Sequence, residues 1–225
     1  MTSLCIHNMD RFTTLLFDLD GTLTDSAEGI INCMKHALTA MGREIPDDMN
    51  RFLGPPLYES FDKFCGMNEE EVLEAVRIFR ERYSTVGLFE NRVYDGIPEM
   101  LERLSQGGKQ LYVATSKPEV YAKRILDKFG LSRYFPVIGG ADINGTRNNK
   151  WEVIEYVLAQ AGITDRSGVL MIGDRRQDVL GAHKTGLKCL GTLWGYGSIE
   201  ELTEAGADFI AHTTQEAADM LLGKE

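Results

Sequence analysis

The chain has 225 residues, enough for one large domain or a domain with a smaller module, and enough to bury a real core. Its 34 acidic against 24 basic residues leave a formal net charge of −10, which excludes a general nucleic-acid or anionic-membrane binder, since both need a positive face. With 43% hydrophobic and 26% charged residues, disorder, collagen and coiled coil are excluded as well.

Met1 to Arg11 lacks the apolar stretch of a signal peptide, and Met9 stands so close to the first strand that the leading residues read as a loose extension. Thr14 to Leu19 is a nearly continuous apolar run, the pattern of a buried parallel strand. Asp20-Gly21-Thr22 breaks it. Asp25 then starts a helix, with Glu28 at capping-box spacing. Ile30, Met34, Ala37, Leu38 and Met41 recur at helical spacing, and Asp47 to Phe64 holds a Gly54-Pro55-Pro56 break before another helical pattern. Asn68 caps a third helix with Val72, Val76, Phe79, Tyr83 and Val86 on one stripe. Positions 26 to 90 therefore predict helices and no strand.

After Asp95-Gly96-Ile97-Pro98 the pattern changes to alternation. Helix Pro98–Ser105 leads to strand Gln110–Ala114, and helix Pro118–Phe129 to the apolar run Pro136-Val137-Ile138. The helix at 149–161 leads to strand Gly168–Ile172, and helix Gln177–Thr185 to strand Leu187–Gly191. Asp208 to Ala211 and a last helix close the chain. Alternating β and α predicts a parallel sheet covered by helices on both faces. The all-helical stretch interrupts it directly after the first strand, as an inserted cap would.

The cysteines, Cys5, Cys33, Cys65 and Cys189, form no close pair and no Cys-x-x-Cys, so reduced, buried thiols in a cytoplasmic protein are expected. No apolar run reaches the roughly 18 residues of a membrane helix. Asn144-Gly145-Thr146 has the form of a glycosylation sequon and reads as a turn.

In open parallel sheets ligands bind beyond the carboxyl ends of the strands. Asp18 and Asp20 follow the first apolar run, and Thr115, Ser116 and Lys117 the second. Lys150 lies at the start of the helix after the third run; Gly173, Asp174 and Asp178 follow the fourth. Carboxylates gathered there repel one another unless a cation neutralises them, and oxygen-only donors favour Mg²⁺. With a lysine and hydroxyls beside it, such a site suits a phosphate group. Taken singly, Asp20 is also turn chemistry, Asp25 a helix cap, and Thr115, Ser116 and Asp174 plausible caps. Asp18, inside the apolar strand pattern, resists any such reading, because a buried carboxylate costs several kcal/mol unless paired or metal-bound.

Asp18-Leu19-Asp20-Gly21-Thr22-Leu23 resembles the DxDGT signature of the haloacid dehalogenase superfamily. Val113-Ala114-Thr115-Ser116-Lys117 is similar to its second motif, Lys150 to its third, and Gly173-Asp174 with Asp178 to its fourth. The subgroup resembled is the phosphoglycolate-phosphatase type, through Gly54-Pro55-Pro56-Leu57 and Trp194-Gly195-Tyr196-Gly197-Ser198. Two departures stand out: Lys150-Trp151 where many members have Lys-Pro, and Thr115-Ser116 where many have Thr-Asn. The pattern of Arg147, Lys150, Val153 and Ile154 resembles 5′-nucleotidases of the same subgroup.

The resemblance implies a Rossmann-like α/β core (1–24 and 91–225) with a helical cap at 25–90. It implies a Mg²⁺-dependent phosphomonoesterase acting on a small phosphorylated metabolite, with Asp18 as nucleophile and Asp20 as general acid and base. Asp18, Asp174 and the carbonyl of Asp20 would hold the metal, Thr115, Ser116 and Lys150 the phosphate, and Asp178 would orient Lys150 or a metal-bound water. The cap would close over the site, with Gly54-Pro55-Pro56 as the reading loop. The alternatives are a 5′-nucleotidase, a pyrophosphatase or a phosphosugar mutase of the same fold. From another class, a phospho-acceptor regulator needs neither Asp20 nor a cap, and a dehalogenase of this fold lacks the second aspartate.

Overall fold

The computed structural model describes residues 9–55, 57–143 and 147–224. Cys5, Pro56 of the proline bend, the Asn144-Gly145-Thr146 turn and the extension before Met9 lie outside the described residues. In chain order, β1 (Thr14–Phe17) is followed by β2 (Thr24–Asp25), α1 (Ala27–Ala40), α2 (Leu57–Cys65), α3 (Glu69–Thr85) and β3 (Arg92–Val93). Then come α4 (Ile97–Gln106), β4 (Gln110–Pro118), α5 (Glu119–Lys128), β5 (Ile138–Ala141), α6 (Lys150–Gln160) and β6 (Val169–Gly173). The last are α7 (Arg176–Lys184), β7 (Lys188–Thr192), α8 (Ile199–Ala205), β8 (Phe209–Ala211) and α9 (Thr214–Leu221). The chain divides into two compact units, Met1–Leu23 with Tyr94–Glu225, and Thr24–Val93.

In the first unit, six strands among the described residues form one sheet in the order β5-β4-β1-β6-β7-β8, every neighbouring pair parallel. Leu16, Tyr112, Met171 and Cys189 stand in register on one face. They pack against Val153, Ile154 and Val157 of α6 and Val179 and Ala182 of α7. Leu15, Phe17 and Val113 are buried on the other face, where the Phe17 ring meets Phe135 edge-on. Both faces are dry, which is why the strands read as continuous apolar runs. From β1 the chain builds β4 and β5 on one side, then crosses to place β6 on the other. The switch point therefore lies between β1 and β6.

Three elements depart from expectation. β5 occupies Ile138–Ala141, sharing only Ile138 with the expected apolar run, because Gly139 and Gly140 lie under close neighbours: a Cβ there would sit 2.3 Å from Val157 Cγ2 and 2.5 Å from the Lys117 carbonyl oxygen. β4 continues through Thr115, Ser116 and Lys117 with a register irregularity, so these residues are strand and not helix caps. α8, unforeseen, is a short helix whose cap is the Ser198 hydroxyl accepting from Glu201 N.

In the second unit α1 buries Cys33, Met34, Ala37 and Leu38, and α3 buries Val72, Ala75, Val76, Ile78, Phe79 and Tyr83. Asn68 and Glu71 form a capping box at the start of α3, whereas Val86 lies past its end and is half-exposed. Arg82 holds Glu90 through two hydrogen bonds of 2.7 and 2.8 Å. Among the described residues of 26–90 there is no strand, as expected; β2 and β3 flank that stretch and pair antiparallel, Thr24 opposite Val93. The capping box expected at Asp25 is not formed, because the N-cap of α1 is Ser26. Asp25 sits in β2, accepts from Ala27 N at 3.1 Å, and pairs with Arg92. No helix among the described residues is long and apolar enough to cross a membrane.

Candidate active site

The sheet brings the strand-end residues together at the switch point. Phe17 is paired with Ile172, and the Asp18 amide continues the ladder by donating to the Ile172 carbonyl at 2.9 Å. Asp18 and Asp174 therefore leave neighbouring strands at the same level. Lys150 is the first residue of α6, whose start is fixed by Glu152 accepting from the amides of Asn148 and Asn149. Its ammonium reaches back to Asp18 Oδ1 and Asp178 Oδ1, each at 2.7 Å, and to the Ala114 carbonyl at 3.1 Å. Asp178 stands in the first turn of α7, where its other oxygen accepts from Arg175 N at 3.1 Å. Asp174 is fully buried and accepts from the Thr22 hydroxyl at 3.1 Å and from Tyr196 N at 2.8 Å.

Asp18, Asp174 and Asp178 each offer an oxygen within 4.8 Å of the others, and all three are buried. Burial, reinforced by Asp178 and Asp18, pushes the Asp174 carboxyl well above the usual range. Burial likewise lifts Asp178, to about 6, against the pull of Lys150. Burial disfavours the Lys150 ammonium, yet Asp178 and Asp18 outweigh it and hold the lysine above its ordinary value. One lysine thus faces three clustered carboxylates. Buried oxygens left short of positive charge fit a hard divalent cation, and the donor set contains no His or Cys.

Asp20 stands apart from that cluster. Its Oδ2 pairs with Lys117 at 2.6 Å, while its Oδ1 is buried and accepts no hydrogen bond from the described residues. Lys117 has no assigned role in the sequence reading. Its signal was parity: two residues beyond Thr115 on the extended end of β4, it is buried like Thr115, whereas Ser116 between them is exposed. Thr115 Oγ1 accepts from Lys117 N at 3.2 Å. Of the two hydroxyls proposed for phosphate, the structure thus buries one and exposes the other.

The family profile described as haloacid dehalogenase-like hydrolase matches residues 15–192, which hold Asp18, Asp20, Thr115, Lys117, Lys150, Asp174 and Asp178. The chain belongs to this family. It is 46% identical over 85% of its length to a 5′-nucleotidase of Pseudomonas aeruginosa, covering 87% of that protein. It is 33% identical over 81% of its length to a phosphoglycolate phosphatase of Aquifex aeolicus, covering 85% of it. It is 39% identical over 88% of its length to the tyrosine-protein kinase PtkA of Mycobacterium tuberculosis, covering 68% of that longer chain. Among solved structures, a protein described as a predicted phosphatase from Clostridium acetobutylicum superposes with a TM-score of 0.89 at 41% identity, covering 94% of this chain and 99% of that one. Within the haloacid dehalogenase-like hydrolases this chain is a phosphatase, similar to the phosphoglycolate phosphatases.

Proposed function

We propose that this phosphatase hydrolyses nucleoside monophosphates with the help of Mg²⁺, through an aspartyl-phosphate on Asp18. The observation that carries the reading is the Lys150 ammonium held 2.7 Å from both Asp18 and Asp178, beside a third buried carboxylate. Asp18 attacks phosphorus while the alcohol leaves, and water then releases phosphate from the acyl phosphate, so one difficult step becomes two easier ones. Asp20 protonates the leaving oxygen and takes the proton of the attacking water. Lys150 orients Asp18 and offsets the charge of the equatorial phosphate oxygens, with Thr115 and backbone N–H groups after Asp18 completing the cradle. Asp18, Asp174 and the Asp20 carbonyl would hold Mg²⁺, which when bound supplies positive charge against those oxygens. Residues Thr24–Val93 are the cap domain in this reading, and the location is cytoplasmic.

The nucleotide is favoured over other esters because the 46% identical relative is named a 5′-nucleotidase. Phosphoglycolate is the second reading, supported by relatives at 32 and 33% identity. A phosphate-release panel with Mg²⁺ tests both, covering nucleoside monophosphates, phosphoglycolate, hexose phosphates, pyrophosphate and ATP. The highest kcat/KM on a nucleoside monophosphate, abolished by EDTA, is the expected result. A preference for phosphoglycolate selects the second reading. Activity that survives chelation overturns the mechanism.

A further inference from the structure

The Trp194–Ser198 segment, singled out in the sequence only as a resemblance, leaves β7 and lies against the two acidic loops of the site. Trp194 Nε1 donates to the Thr22 carbonyl at 2.9 Å, and the Thr22 hydroxyl donates to Asp174 Oδ1 at 3.1 Å. Tyr196 N donates to the other oxygen, Asp174 Oδ2, at 2.8 Å. The bonds close a circuit from Trp194 through Thr22 and Asp174 back to Tyr196, and each carboxylate oxygen accepts one of them. The glycines are what let the backbones approach. A Cβ at Gly195 would sit 2.1 Å from the Gly21 carbonyl oxygen and 2.5 Å from Asp174 Oδ2. A Cβ at Gly197 would sit 1.8 Å from the Asp174 carbonyl oxygen. Gly21, at φ +85°, completes the contact, with a Cβ position 2.2 Å from Asp174 Oδ2.

We propose that the Trp194–Gly197 loop is a positioning device for the cation ligand Asp174, fixing the rotation of its carboxylate before the cation arrives. The inference rests on the reading of Asp174 as a ligand of a divalent cation. A carboxylate oxygen has two lone pairs, so one hydrogen bond on each still leaves one for a metal. What the circuit removes is rotation about the Cβ–Cγ bond, which an unanchored aspartate would have to lose on binding. Groups that orient a metal ligand in this way govern affinity, typically by about 10- to 100-fold when removed. Trp194 and Tyr196 are positioning residues, acting through Asp174.

The test is Mn²⁺ binding by electron paramagnetic resonance to the intact protein without substrate. Trp194→Phe keeps an aromatic but smaller side chain and deletes the N–H; Thr22→Val deletes the hydroxyl at similar volume; Thr22→Ser restores it. The first two are expected to weaken Mn²⁺ binding about tenfold or more, and Thr22→Ser to stay within about threefold of wild type. Wild-type affinity in both Trp194→Phe and Thr22→Val overturns the positioning role while leaving the cation reading intact. So does an equal loss in Thr22→Ser and Thr22→Val. Failure of the wild-type protein to bind Mn²⁺ overturns the cation reading and the inference with it. If Trp194→Phe does not fold, the valine and serine pair at position 22 decides.

Discussion

Lys117 Nζ lies 2.6 Å from Asp20 Oδ2, with the lysine side chain 5% and the aspartate side chain 21% exposed. Two residues from the proposed nucleophile, Asp20 is therefore fixed by a buried cation on the neighbouring strand β4. A carboxyl that must reach the leaving oxygen gains from being held in one place, and the pair supplies that restraint. We expect Lys117→Met to lower kcat about 10- to 100-fold on alkyl phosphates, less than the roughly 10²- to 10⁴-fold that general acid–base catalysis contributes, because Asp20 itself remains. The loss should be several-fold smaller on p-nitrophenyl phosphate, whose leaving group needs no proton. Steady-state kinetics on the two esters checks this, and equal losses would show that Lys117 does not act through Asp20.

That pair also marks how far the sequence could be read. Asp18, Lys150, Asp174 and Asp178 were legible because each follows an apolar run or opens the next helix, and a parallel sheet gathers strand ends by construction. For Asp18 and Asp174 to share an ion β1 and β6 must be neighbours, and they pair in parallel register. Lys117 also follows an apolar run, but its inward direction was not legible there. A lysine after two hydroxyls reads as the exposed start of a helix, and only the extended continuation of β4 through Pro118 turns it inward. β5 was misplaced for a related reason: Gly139 and Gly140 have no side chain to show periodicity, and their presence reports a close approach by α6 and β4 that local pattern does not contain. Asp25 reads as a helix cap from local spacing, and its partner Arg92 is 67 residues away, where spacing arguments do not reach.

Asp18→Asn separates nucleophile from scaffold. The amide oxygen still accepts from Lys150, and the lysine keeps Asp178, so the buried network loses one charge and no shape. Stability in EDTA should change by less than about 2 kcal/mol. Phosphate release should fall by at least about 10³-fold, since an amide is not a competent nucleophile toward phosphorus. Thermal unfolding and a phosphate assay on the same preparation check both halves. Turnover within tenfold of wild type would show that Asp18 is not the attacking group.

Lys150→Met has the opposite character, with a large structural consequence. The ammonium is the partner of Asp18 and Asp178, all three buried. Breaking a buried pair by deleting one member strands the other charge, at a cost of about 3–5 kcal/mol. Urea unfolding in EDTA should report a loss of that order. Adding Asp178→Asn to Lys150→Met should recover part of it, because the second change removes one stranded carboxylate. A double variant no more stable than the single one would mean that the carboxylate was already protonated once the lysine was gone.

The pH dependence of the cation-free protein follows from Asp178. Burial pushes its carboxyl up to about 6 against the attraction of Lys150, with Asp18 adding to the rise. In the unfolded chain an aspartate titrates near 3.9, roughly two units lower. Between about pH 4 and 6 the folded protein therefore retains a proton that the unfolded chain has released, so unfolding free energy falls as pH rises through that window and is flat above it. The full change is about 2–3 kcal/mol. Asp174, also raised by burial, acts in the same direction. Surface carboxylates held low by partners, Glu71 and Asp219 among them, act in the opposite sense at the acidic end, losing their contribution as pH falls. The comparison that isolates the buried group is wild type against Asp178→Asn, by urea unfolding in EDTA at pH 4 and pH 7. Wild type should lose about 2 kcal/mol relative to the variant across that interval. Saturating Mg²⁺ should shrink the loss, because a bound cation favours the ionised carboxylates and stabilises only the folded chain. A difference between the two proteins that does not change with pH would show that Asp178 is ionised throughout, with Lys150 outweighing its burial.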